Sequence, residues 1–163
     1  MSSAGGQARS GSGIVSKRLA ELGITLPAVA APLAAYVPAV RTGNLVYTSG
    51  QLPLEGGDPT HTGKAGAEVS PEDAKAAART CALNALAAIH ALVGVDSIVR
   101  VVKVVGFVAS APGFTGQPGI VNGASEFLGE VFGEAGAHAR SAVGVAELPL
   151  GVPVEVELIV EVA

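Results

Sequence analysis

The chain has 163 residues and a mass of 16.0 kDa, with 49% apolar and only 15% charged residues. That is long and apolar enough to bury a full core, which excludes wholesale disorder. The net charge of −4, with no run of Lys or Arg, argues against binding to nucleic acid by charge, and the lone Cys81 excludes an internal disulfide.

Residues 1–13 read as a flexible Gly/Ser-rich tail, and residues 14–163 as a single domain with a lead-in over 14–35. Within the lead-in, Ile14 to Gly23 has the pattern of a short helix that ends on its glycine. Residues 24–35 then run extended. No membrane span is expected: the apolar stretch from Ala28 to Val40 is cut by Pro32 and Pro38 and falls short of the roughly 20 residues a helix needs. With no apolar leader beside the basic residues, a cytoplasmic location follows.

Val37 to Val40, a Thr-Gly-Asn turn at 42–44 and Leu45 to Ser49 predict a β-hairpin, and glycine-rich Leu54 to Glu68 a surface loop. Ser70-Pro71-Glu72-Asp73 is a helix start, with a capping hydroxyl, a proline at the first helical position and two carboxylates at the positive end of the dipole. The stripe of Ala78, Ala82, Ala85, Ile89 and Leu92 is the buried face, and Gly94 the stop. The valine-rich run Ile98 to Val108 predicts a strand buried on both faces. A Pro/Gly loop over 111–119 leads to a second long helix, Ile120 to Phe132. Ala139 to Val145 and the alternating Val154 to Val162 complete the strands.

The order β-β-α-β-α-β-β implies an α+β fold, a mixed sheet with two helices packed on one face. Two helices leave the other face bare, so self-association is expected to cover it.

His61, His90 and His138 lie too far apart in sequence for a metal site, and Cys81 reads as a small core residue. One constellation remains. His138-Ala139-Arg140-Ser141 opens one strand, and Glu155 and Glu157 share a face of the next. If those two strands are antiparallel neighbours, a glutamate can reach Arg140, either as a plain salt bridge or as part of a site in which the guanidinium grips a carboxylate.

The strings Tyr36–Val40, Gly43-Asn44, Thr48–Pro53, Asn84, Asn122, Ala139–Val143, Leu148-Pro149 and Val154–Glu157 together resemble the RidA/YjgF family over about residues 36–162. The lead-in is similar to that of its longer, chorismate-mutase-like subgroup. The resemblance implies homotrimers with clefts between subunits, and hydrolysis of 2-imino or 2-enamino acids to 2-oxo acids and ammonia, without metal or organic cofactor. By the same resemblance, Arg140 binds the substrate carboxylate and Glu155 holds the hydrolytic water. Tyr36, Gly50 and Asn122 line the pocket. Ala142 stands where many members have Cys, Ala34-Ala35 where many have Gly-Pro, and the segment from Phe107 to Asn122 is lengthened. A non-catalytic carboxylate-binding trimer is the alternative, and a ribonuclease a weaker one.

Overall fold

The computed structural model describes residues 13–29 and 34–163, so the expected tail lies almost wholly outside the described residues. Gly13, assigned above to that tail, is instead the N-cap of α1 (Ile14–Glu21), in the left-handed conformation that glycine adopts without steric cost. Helix α1 is tied down by Asp96, whose carboxylate accepts from the Ser16 amide at 2.9 Å and the Ser16 hydroxyl at 2.7 Å.

The predicted hairpin is present as β1 (Ala39–Thr42) and β2 (Leu45–Thr48). The segment expected to be an irregular loop contains a two-residue hairpin, β3 (Leu54–Glu55) and β4 (Asp58–Pro59), too short for an alternation pattern to register. Helix α2 (Pro71–Val93) starts as its sequence dictates, with the Ser70 side chain accepting from the Asp73 amide. Leu92 departs from the predicted stripe: it sits exposed in the last turn. Strand β5 (Ile98–Ala109), helix α3 (Gln117–Phe132) and strands β6 (Ala139–Val145) and β7 (Val154–Val162) follow.

The sheet order is β1-β2-β7-β5-β6, antiparallel except for the parallel pair β5 and β6. One face carries α2 and α3. Val104, Val108, Val156, Leu158 and Val160 of the sheet are fully buried against Ala82, Leu86 and Ile89 of α2 and Ile120, Phe127 and Leu128 of α3. Alanines on α2 let that helix sit low over β7, while Gly106 leaves room on β5 for the Val121 side chain. By length and composition α2 could cross a membrane, but that apolar character is used in this packing. The described residues thus hold three α-helices and a mixed sheet: the two expected on the sheet, and the short helix expected in the lead-in.

Among the described residues, no element covers the opposite face. Val40, Tyr47, Val105, Phe107, Val143 and Ile159 share it by register, with Val40 52%, Tyr47 43% and Val143 44% exposed. The expectation that β5 is buried on both faces therefore fails for a single chain: Val105 and Phe107 are only half-buried.

Candidate functional site

Strand β6 is one edge of the sheet, and parallel pairing sets Arg140 beside Val104 on the helix-covered face. There its guanidinium lies along the first three turns of α3. Nη1 donates to Asn122 Oδ1 at 2.7 Å and to Ser125 Oγ at 3.3 Å, and Nη2 donates to the Pro118 carbonyl at 3.4 Å. All three acceptors are neutral oxygens. Among the described residues no carboxylate pairs with Arg140. Its charge is oriented without being cancelled.

The same end of α3 adds to the positive potential. The helix begins at Gln117 with neither a side-chain cap nor an acidic residue in its first turn, so its dipole is not offset there. Beyond Ser125 the hydrogen bonds continue: Ser125 Oγ is 2.8 Å from His138 Nε2, and His138 Nδ1 is 2.6 Å from the Gly136 carbonyl.

Glu155 and Glu157 do not meet Arg140. Strand β5 lies between β6 and β7, so the antiparallel neighbourhood that would have joined them does not exist. Register also separates the faces: Arg140 aligns through Val104 with buried Leu158, whereas Glu155 and Glu157 align with Phe107 and Val105 on the uncovered face. Neither the intrachain salt bridge nor an intrachain catalytic pair forms. The physical reason is the parallel crossover through α3, which carries the chain past the position beside β7 to the edge of the sheet.

Glu155 belongs to a second group. The backbone of Gly50 passes directly over its carboxylate, and Gln51 pairs with Val156 through two backbone hydrogen bonds of 2.8 and 3.0 Å. The Asn84 amide in α2 fixes this segment by donating to the carbonyls of Leu52 and Leu54, both at 3.0 Å. Ser49 in turn holds the Tyr36–Pro38 strap, donating from its hydroxyl to the Val37 carbonyl at 2.6 Å and from its amide to the Pro38 carbonyl at 2.8 Å. Tyr36 projects from that strap and is 59% exposed. Burial raises the Glu155 pKa above the ordinary carboxylate value, and the like charge of Glu157 adds to the effect.

The five expected site residues therefore fall into two sets: Arg140 with Asn122 at the β6 edge, and Tyr36, Gly50 and Glu155 around the other side of the sheet. Ser125 joins this site without belonging to any motif of the sequence. Its spacing of three from Asn122 on a helix was the available signal, because such residues share a face. Cys81 is buried, as expected of a core residue, and burial raises its thiol pKa well above the usual value, with Glu155 adding to the effect. The segment after Phe107 is pinned to Ala65 by two backbone hydrogen bonds and then becomes the first turn of α3, where it supplies the Pro118 carbonyl to Arg140.

The profile of the family described as Endoribonuclease L-PSP matches residues 27–162. This chain is a member of that family, the RidA/YjgF family. It is 47% identical over 152 residues to Protein TCP17 of Trypanosoma cruzi, covering 92% of this chain and 95% of that one. It is also similar to the crystal structure of Atu1372 from Agrobacterium tumefaciens, a protein of unknown function, with a TM-score of 0.85, 46% identity and coverage of 94% and 95%. E. coli TdcF, solved with bound serine, is 25% identical with a TM-score of 0.61 and coverage of 85% and 96%. Members of the RidA/YjgF family share this arrangement of helices on a mixed sheet.

Proposed function

We propose that this RidA/YjgF-family protein hydrolyses 2-imino acids, in exchange with their 2-enamino tautomers, to 2-oxo acids and ammonia. The observation that carries the reading is the Arg140 guanidinium, held by Asn122, Ser125 and Pro118 through neutral oxygens only. A planar, oriented and uncancelled cation is the form of donor that grips a carboxylate in two-pronged fashion. The serine bound to the E. coli relative carries such a carboxylate.

The second half of the chemistry belongs to Glu155. A 2-iminium acid is negative at one end and positive at the other, and its iminium carbon is already electrophilic. Water adds to that carbon, one of its protons passes to nitrogen, and the resulting ammonium leaves as ammonia while the hydroxyl gives up its remaining proton and the C=O forms. A carboxylate whose pKa is raised by burial is better matched to taking up and returning that proton than an exposed one. Positioning and one proton shuttle are sufficient, because the substrate also hydrolyses unaided.

One set lies at the β6 edge and the other spans the central strand β7 and the strap beside β1 and β2, so the reading requires the β6 edge of one copy to face the β1–β2 side of the next. Repeated head to tail, that contact closes into a ring. We propose a homotrimer acting in the cytoplasm, with the uncovered valine, tyrosine and phenylalanine surface turned inward. A solution mass of three chains supports this, and a monomer that is fully active sinks it.

The decisive experiment mixes the protein with 2-iminobutyrate generated in situ and measures ammonia. Faster release that collapses about 100-fold in Arg140→Ala is expected, the cost of losing a charged hydrogen-bond pair. No acceleration by the wild-type protein removes the reading. Calorimetric binding of 2-oxobutyrate without turnover would favour a carboxylate-binding protein instead. The ribonuclease reading draws on the endoribonuclease name that the family carries, and it requires RNA cleavage that survives repurification and disappears in Glu155→Gln.

A further inference from the structure

The hydrogen bonds behind Arg140 have a fixed direction. The Gly136 carbonyl only accepts, so His138 Nδ1 carries the proton in that 2.6 Å bond. In the neutral ring, Nε2 is then an acceptor, and the Ser125 hydroxyl donates to it across 2.8 Å. With its hydrogen committed to His138, Ser125 turns a lone pair toward Arg140 Nη1. The far end is anchored: Gly136 is buried against the Leu128 carbonyl, so tightly that a Cβ would stand 2.5 Å from that oxygen.

We propose that Ser125 and His138 are positioning residues, a relay that aims the Arg140 guanidinium while leaving its charge available to a ligand. This rests on the carboxylate-anchoring role of Arg140 proposed above. A carboxylate in place of Ser125 would orient the guanidinium equally well but would satisfy its charge and compete with substrate. A hydroxyl by itself would be free to rotate. Coupled to Nε2 of the neutral ring, it has one orientation, and donating its hydrogen strengthens its oxygen as an acceptor.

The relay is tested with steady-state kinetics on 2-iminobutyrate and calorimetry with 2-oxobutyrate as the probe. Because Arg140 holds the carboxylate equally in ground and transition states, loosening it raises KM and leaves kcat unchanged. Ser125→Ala is expected to raise KM about fivefold, the effect of one lost hydrogen bond. His138→Phe, which removes the acceptor, is expected to do the same. His138→Gln, which can present an oxygen to the Ser125 hydroxyl, is expected to restore a KM near wild type. In an Arg140→Ala background, Ser125→Ala should add nothing.

A fall in melting temperature with unchanged KM in Ser125→Ala would overturn the relay, and so would full additivity with Arg140→Ala. If Arg140→Ala itself leaves 2-oxobutyrate affinity intact, the anchoring role fails and the relay with it. If Arg140→Ala abolishes affinity while Ser125→Ala matches wild type, the relay alone fails.

Discussion

Gly50 and Glu155 approach so closely that no side chain fits between them: a Cβ at position 50 would stand 2.6 Å from Glu155 Oε2 and 2.8 Å from its Cδ. The β2–β3 connection therefore helps shape the space in which this carboxylate is partly buried. Gly50 is not among the residues with positive φ, so an alanine there meets a steric obstacle at the carboxylate and no backbone strain.

Gly50→Ala is accordingly expected to displace Glu155 and lower kcat for imine hydrolysis by about tenfold or more, since misplacing a reacting group by an ångström is costly. The melting temperature should change little. Parallel kinetics and thermal melts check this, and a variant with wild-type kcat would separate the Glu155 position from catalysis.

Glu155→Gln should be inactive yet more stable at neutral pH. The folded-state pKa of Glu155 lies above its ordinary value of 4.5, so folding favours the protonated form, and the ionised form costs stability once the pH rises through the folded pKa. The melting temperature of the variant should exceed that of wild type at pH 7, with the gap closing as the pH falls below 4.5. A constant gap across that range would contradict the shift.

Asp96 shows the opposite linkage. Burial works against its ionisation, but the Ser16 amide and hydroxyl hydrogen bonds outweigh it and hold the pKa below the ordinary 3.8. Its contribution is present above 3.8 and is lost as the pH falls through the lowered folded value. Asp96→Ala should loosen α1 at neutral pH, seen as faster amide exchange over 14–21 with exchange in β5 unchanged. Protection of α1 equal to wild type would show that the Ser16 contact is dispensable.

Ser70→Ala removes the 3.1 Å cap on the Asp73 amide. The expected loss is about 1 kcal/mol, or a melting temperature lower by roughly 2–4 °C for a domain of this size. Activity below the melting transition should be unaffected, because the lost hydrogen bond is local to the first turn of α2.

Local pattern made much of the architecture legible. Ser70, Pro71 and Gly94 mark the ends of α2 because capping and helix termination are settled within a few residues. The strict alternation from Val154 to Val162 exposes the two faces of β7 because side chains in a strand have a period of two. Glu155 and Glu157 could thus be assigned to one face from sequence. The small hairpin at 54–59 was invisible because two residues per strand carry no period. The start of α3 was misjudged by three residues because Gln117-Pro118-Gly119 reads as loop chemistry, although Pro118 suits a first turn.

The chain by itself determined the long helices and the five strands of the main sheet, and through shared motifs the family to which it belongs. Neighbour relations across the sheet were another matter. Whether β6 pairs with β7 or with β5 depends on where the crossover through α3 lands, and that is decided by how α2 and α3 jointly cover one face. Only the tertiary structure could therefore show Arg140 and Glu155 on opposite sides of the sheet. The same holds for the partners of Arg140: Asn122, Ser125 and Pro118 reach it because α3 lies along the β6 edge, a long-range packing outcome that no local pattern encodes.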